Sequence, residues 1–257
     1  MRKTSGGGAF SLLPLLVLTI LFLEACKGSS PTSPSDGGGL ISLSGLITLS
    51  GQPFAGVDIY LCWGTSKKST TGADGKFSFS DLPKGEYVIT PCMLGYSFSP
   101  SSYELGSSSR SDLNFSAQTA TTGTEIDSIA TNFTARDQNG DSVSLYDYHG
   151  KVVLVDFTAD WCADCRAKAE TAEEFYQKFK NKGFMSILIV IDGSASTWAN
   201  TYKLTFPVLE DNSQVIYSLY RKTSIPLPHV LDRNATIRYK KEGWIKAEVE
   251  NMISKYQ

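Results

Sequence analysis

Val152-Val153-Leu154-Val155-Asp156-Phe157 is an apolar run with one carboxylate inside it, and Trp161-Cys162-Ala163-Asp164-Cys165 follows four residues later. The residues after the second cysteine, Arg166 to Lys182, read as a helix: Ala169, Ala172, Tyr176 and Phe179 fall on one stripe, joined by Phe175, and Gly183 ends it. An apolar strand, a tight turn, paired cysteines and a helix in that order favour a redox pair over a zinc clasp. Cys162 then sits at a helix N-terminus. There, unpaired backbone N–H groups and the helix dipole favour a thiolate. Cys165, one turn further in, is placed to resolve a mixed disulfide.

The flanking sequence extends this α/β pattern over residues 126–257. Phe133 to Asp137 and Ser142 to Leu145 read as a hairpin around Asn139-Gly140. Met185 to Ile191 is a continuous apolar run, as expected of a parallel strand covered on both faces. Thr197 to Leu204 and Ser213 to Arg221 are helix candidates, His229 to Leu231 and Ile237 to Tyr239 are strands, and Ile245, Val249, Met252 and Ile253 line a closing helix. Alternating β and α segments imply a central mixed sheet.

Residues 126–257 resemble the thioredoxin fold, in the TlpA-like redoxin branch of exported thiol–disulfide oxidoreductases. The resemblance rests on the apolar strand, the Trp-Cys-x-x-Cys at the helix start and the Thr158-Ala159-Asp160 lead-in. It implies an enzyme working through a Cys162/Cys165 redox disulfide, with no organic cofactor. It also implies that Asp156, six residues before Cys162, is a buried carboxyl with a raised pKa that takes the Cys165 proton through water. A cis-proline facing the cysteines is a further mark of the family. Ile225-Pro226 fits, since Asp232 follows six residues later, with Leu227-Pro228 as the rival register. The Ile225 backbone would present itself to an extended substrate strand, with Trp161 on the rim.

Asp164 adds negative charge beside Cys162 and leans the couple toward a reductase; Arg166 pulls the other way. His149 and His229 read as surface or packing residues. Copper-delivering relatives of the fold use CxxxC with a histidine, and a peroxiredoxin needs Pro-x-x-x-Thr-x-x-Cys; the chain has neither. No second cysteine pair lies at zinc-finger spacing, so no metal site is expected. The competing class is a non-catalytic thioredoxin-like module that binds copper or a partner.

The N-terminal half differs in character. Arg2 and Lys3 precede an apolar stretch from Leu12 to Leu23, too short for a comfortable span of about 20 residues. Leu23-Glu24-Ala25-Cys26 resembles a bacterial lipobox, which makes residues 1–25 a lipoprotein signal peptide and Cys26 the lipidated residue; Glu24 departs from the pattern. A plain cleaved signal or an uncleaved anchor is the alternative. Each version puts the chain outside the cytoplasm, on the periplasmic side in a diderm, where disulfides persist. Lys27, where inner-membrane retention uses Asp, points to the outer membrane in such an organism.

Residues 26–39 form a Ser/Pro/Gly tether. Residues 40–117 show short alternating runs and turn signals, as in an all-β sandwich. The phrases Pro53-Phe54-Ala55-Gly56-Val57, Ala73-Asp74-Gly75-Lys76-Phe77 and Leu82-Pro83-Lys84-Gly85-Glu86-Tyr87 resemble carboxypeptidase-regulatory-like, prealbumin-like sandwiches. Cys62 and Cys92 fall out of step with the inward series Val57, Ile59, Leu61 and Tyr87, Ile89, so both point to one outer face. A structural disulfide between them is expected, constraining the unfolded chain by roughly 3–4 kcal/mol for a loop of about 30 residues. Residues 118–125 read as a linker.

A net charge of -2 over 257 residues gives no sign of a nucleic-acid partner. By family resemblance the partners are exported cysteine-containing proteins, apocytochrome c before haem attachment among them, and an upstream electron donor or acceptor.

Overall fold

The computed structural model describes residues 39–62 and 67–257. The signal peptide of residues 1–25, Cys26 and all but Gly39 of the tether lie outside them. No helix among the described residues is long and apolar enough to cross a membrane.

The strands are β1 (Ile41–Leu49), β2 (Gln52–Pro53), β3 (Asp58–Cys62), β4 (Lys67–Thr70), β5 (Lys76–Leu82), β6 (Tyr87–Cys92), β7 (Tyr96–Ser99), β8 (Tyr103–Leu105), β9 (Phe115–Thr119), β10 (Thr122–Gly123), β11 (Ile129–Ala130), β12 (Thr134–Arg136), β13 (Ser142–Ser144), β14 (Val152–Thr158), β15 (Phe184–Val190), β16 (Val208–Glu210), β17 (His229–Leu231) and β18 (Ile237–Lys240). The helices are α1 (Ala163–Phe179), α2 (Ala195–Tyr202), α3 (Val215–Leu219) and α4 (Lys246–Tyr256).

β14 is the axis of the C-terminal half. All seven of its residues are buried, because it pairs in parallel with β15 on one side and antiparallel with β17 on the other, with helices over its faces. A strand covered on both faces has no polar side to alternate with, which is why Val152 to Phe157 reads as a continuous run. The sheet order is β16-β15-β14-β17-β18, a mixed sheet of the thioredoxin-like kind. β16 was not legible in the sequence: three residues between Pro207 and Asp211 are too few to show a period, and only pairing with β15 makes them a strand.

α1 buries Cys165, Ala169, Ala172, Phe175 and Phe179 against this sheet, and Tyr176 turns aside onto Phe206. A short 3-10 turn, Lys180–Lys182, follows before Gly183 at φ 79°. A Cβ on Gly183 would come within 2.6 Å of Arg233 Nη1. That close approach and the left-handed backbone both call for glycine.

Residues 41–62 and 67–119 form two sheets on one apolar core. Leu43, Ile47, Phe77 and Phe115 face Ile59, Leu61, Tyr87 and Ile89 across it. β1 alternates as its sequence does, inward at Ile41, Leu43, Gly45 and Ile47.

The outer face of β3 and β6 does not meet solvent. Cys62 and Val88 join the core of the C-terminal half, and Tyr60 packs at its edge. Arg233, from the turn between β17 and β18, lies 4.7 Å over the Tyr60 ring and donates to the Gly150 and Lys182 carbonyls. Asn234 accepts from Met93 N–H and donates to the Tyr96 carbonyl. The segment read as a linker is likewise strapped down. Gln118 and Thr119 complete β9, Thr122–Gly123 pairs with β11, and Lys240 Nζ holds the Thr124 carbonyl at 2.9 Å.

This arrangement overturns the expected Cys62–Cys92 disulfide. The two cysteines do share a face on neighbouring strands, but the register places Cys62 opposite Val88 and Cys92 opposite Asp58. Four residues of offset along a ladder is about 13 Å, far beyond the reach of a disulfide. Both are separate buried thiols. The Cys92 S–H donates to the Arg233 carbonyl at 2.9 Å and lies 3.6 Å from His149 Nε2, which makes His149 a packing residue of this contact. Burial pushes both thiols up, with Asp232 adding to it. Such thiols are poor nucleophiles at neutral pH. Thiol titration of the denatured, unreduced protein should therefore detect both Cys62 and Cys92; protection of either from alkylation would show that a bridge forms after all.

Candidate active site

The chain leaves β14 at Thr158 and turns into α1 within four residues. The turn is pinned on three sides. Asp160 N–H donates to the Asp192 carbonyl, Arg166 Nη2 donates to the Asp160 carbonyl at 2.7 Å, and Trp198 Nε1 donates to Asp160 Oδ1 at 2.6 Å. Arg166 is thus engaged with the turn backbone. Asp164 lies exposed in the first turn of α1, where a negative charge complements the helix dipole.

Cys162 is the N-cap of α1. Its extended backbone lets Sγ accept from the Cys165 N–H at 3.2 Å, satisfying one of the helix's free donors. Cys162 and Cys165 are joined by a disulfide, with Cα atoms 5.3 Å apart. Cys165 is buried, with Sγ 4.0 Å from the Phe157 carbonyl oxygen; Cys162 is the outer member of the pair.

The Ile225–Pro226 peptide is cis, and Leu227–Pro228 is not among the cis bonds, so the register falls on Pro226. The Ile225 carbonyl oxygen lies 3.9 Å from Cys162 Sγ. Trp161 stands 64% exposed beside the pair. An exposed indole, a half-buried Ile225 and a backbone carbonyl beside a sulfur make a surface that an extended chain can lie along.

Asp156 lies on β14, buried at 3% exposure. Its Oδ1 accepts the N–H groups of Phe157 and Leu227, both at 2.9 Å, and its Oδ2 accepts Trp244 Nε1 at 3.0 Å. Burial pushes the carboxyl up to about 7, against the pull of those three donors and of the Lys168 cation. Desolvation wins because removing an ion from water costs more than three hydrogen bonds return.

His229 is fully buried on β17, and burial lowers its pKa to about 4. Its Nδ1 lies 3.1 Å from the Leu227 carbonyl, and its ring packs edge-on against Phe157 and Tyr220. It is a neutral packing histidine.

The cysteines, Trp161, Asp156, Ile225 and Pro226 were legible in the sequence. Trp244, Lys168 and the Leu227 N–H were not. Trp244 is 88 residues from Asp156, and no local spacing ties the two.

A thioredoxin-like sheet carrying a helix-capping cysteine disulfide defines a dithiol–disulfide exchanger. Residues 126–240 match the model of the AhpC/TSA family. Over 116 residues the chain is 30% identical to the thiol-disulfide oxidoreductase ResA of Bacillus thuringiensis (strain Al Hakam), spanning 44% of this chain and 67% of that one. It is 32% identical over 116 residues to the thioredoxin-like protein YneN of Bacillus subtilis (strain 168), spanning 42% and 66%. Among solved structures, the thioredoxin domain of a thiol-disulfide oxidoreductase from Bacteroides vulgatus is 26% identical, with a TM-score of 0.47, over 51% of this chain and 97% of that one. The chain belongs to the AhpC/TSA thioredoxin-fold family and is a thiol–disulfide oxidoreductase. The alternative of a non-catalytic binding module is not favoured.

The raised Asp156 pKa fixes a pH dependence of stability. The folded state holds its proton up to about pH 7, while the unfolded chain releases it near pH 4. The folded protein therefore binds more protons between those values, and stability falls as pH rises through that window. Asp156→Asn removes this loss. Urea unfolding should show Asp156→Asn gaining on the parent by on the order of 4 kcal/mol between pH 4 and pH 8; parallel pH curves for the two proteins would refute the buried proton.

Proposed function

We propose that this chain reduces disulfides in exported cysteine-containing proteins, working outside the cytoplasm from a lipid anchor at Cys26. The observation that carries the redox reading is the Cys162–Cys165 disulfide at the N-cap of α1, beside the Ile225 carbonyl, in the same half as the buried Asp156.

The reduced form supplies the electrons. The Cys162 thiolate attacks one sulfur of a substrate disulfide; the S–S bond breaks, and the first substrate thiolate leaves and takes up a proton. Cys165 then gives its proton to Asp156, through water, and its sulfur attacks Cys162 Sγ. The second substrate thiolate departs, and the enzyme is left as the Cys162–Cys165 disulfide. Two electrons have passed to the substrate, and a separate dithiol donor must return them. Trp161, Ile225 and Pro226 form the substrate-binding surface. Asp164 supports the reductive direction by adding negative charge at the start of α1.

Residues 40–117 are, in this reading, a carboxypeptidase-regulatory-like β-sandwich acting as a spacer. They dock around Gly150 and Arg233, at the end of β14 opposite the cysteines. Seven strand residues put roughly 20 Å between that contact and the redox pair. Residues 1–25 are read as the signal peptide and 26–39 as the tether. The substrate class includes apocytochrome c by family resemblance only.

In an insulin-reduction assay, Cys162→Ser should abolish turnover. Cys165→Ser should accumulate mixed disulfides at Cys162 that identify the substrates, and a chain that traps nothing outside the cytoplasm would defeat the proposal. Asp156→Asn should slow release of the mixed disulfide at pH 7 by about 10²-fold, the usual scale of general acid–base assistance. Incorporation of labelled palmitate, lost in Cys26→Ser, checks the anchor; undiminished incorporation would place the lipid elsewhere.

A further inference from the structure

Asp156 has an unequal set of partners. Oδ1 accepts two backbone N–H groups, from Phe157 and Leu227, which occupy both of its lone pairs. Oδ2 accepts one donor, the Trp244 indole N–H at 3.0 Å. Its second lone pair is the one left for a proton. Trp244 comes from the segment between β18 and α4 and is itself buried at 5% exposure, with its ring tilted against Phe175 at 6.0 Å. On the indole face sits Lys168 of α1, with Nζ 5.6 Å from the ring centroid. Lys168 is three residues beyond Cys165 on the same helix. One aromatic side chain therefore links a cation, the buried carboxyl and the helix that carries both cysteines.

A purely structural tryptophan would be served by any carbonyl for its N–H. This one spends its only donor on the carboxylate oxygen that has room for a proton. Without it, the carboxyl would be held through Oδ1 alone and could swing Oδ2 away.

We propose that Trp244 is a positioning residue for thiol–disulfide exchange: its indole N–H fixes Asp156 Oδ2, and its ring face seats Lys168, so that the carboxyl is held in one orientation and near one cation. This rests on the reading of Asp156 as the proton acceptor for Cys165. The ionisable group bearing on Asp156 is Lys168 of α1. β15 places Leu188 opposite it, and the segments entering β17 and α4 contribute only the neutral Leu227 and Trp244 donors.

The signs follow. An N–H donor and a nearby cation both favour the carboxylate over the neutral acid, so removing either should raise the pH at which Asp156 loses its proton. Carboxyl-¹³C aspartate NMR on the full chain reads that midpoint directly. The pH profile of mixed-disulfide release in single turnover reads its consequence. Trp244→Phe keeps the ring and removes the donor; both midpoints should move up by about one unit, the scale of a hydrogen bond to a charged group. Lys168→Met should move them up by less, with the difference shrinking in high salt, and Lys168→Arg should restore them.

A merely structural Trp244 would lower the melting temperature and the rate at every pH while leaving the midpoints in place, and that result overturns the proposal. If Trp244→Phe does not fold, the wild-type protein still decides. The Trp244 indole ¹⁵N–¹H resonance must titrate with the Asp156 midpoint, and a flat response from pH 5 to pH 9 refutes the coupling. Asp156→Asn separates the two readings. Loss of the pH dependence in that variant, with Trp244→Phe and Lys168→Met unshifted, rejects the positioning role alone. An unchanged profile in Asp156→Asn rejects Asp156 as the proton acceptor.

Discussion

The burial of β14 on both faces is the constraint from which the rest of the C-terminal half follows. A seven-residue strand with no solvent face has to pair on both edges and be covered above and below. β15 and β17 supply the pairing, and α1 supplies one cover by turning back immediately at the strand's end. That turn is short, so the first residue of α1's cap, Cys162, is delivered to the mouth of the fold with its sulfur on a free helix N–H. The redox pair is where it is because the strand beneath it cannot be left bare.

The same burial gives Asp156 its character. A carboxylate in a polar loop would stay ionised at neutral pH; on β14 it is buried, and its pKa rises to about 7 despite three hydrogen bonds. The donors are needed all the same, because a buried oxygen without a partner would cost more than the site can offset. Desolvation raises the proton affinity, and the donors together with Lys168 stop it rising further. The group is left near the pH at which a proton can be both accepted and given up.

At the other end of β14, Arg233 and Asn234 occupy a tight turn and reach the N-terminal half through Tyr60, Met93 and Tyr96. The contact takes Cys62 and Cys92 out of solvent and raises their pKa values, so the described residues carry two inert thiols and one disulfide-bonded pair. Burial and register, not cysteine count, divide the labour.

The sequence by itself determined what is local. The order strand, turn, CxxC, helix is written in consecutive residues, and so are the buried run around Asp156, the glycine that ends the 3-10 turn after α1 and the Ile225-Pro226 step. Each depends on the period of one segment or the stereochemistry of one residue. Only the tertiary structure decided what depends on how distant segments slide against each other. Alternation put Cys62 and Cys92 on one face correctly, but a period of two says nothing of the four-residue offset that keeps them apart. β16 is a strand only because β15 is beside it, and residues 118–125 are held by strands and a lysine that no linker composition foretells. Trp244 reaches Asp156 across 88 residues of chain because β18 and α4 close the sheet over that end. Nothing short of the packed fold brings that indole to that carboxyl.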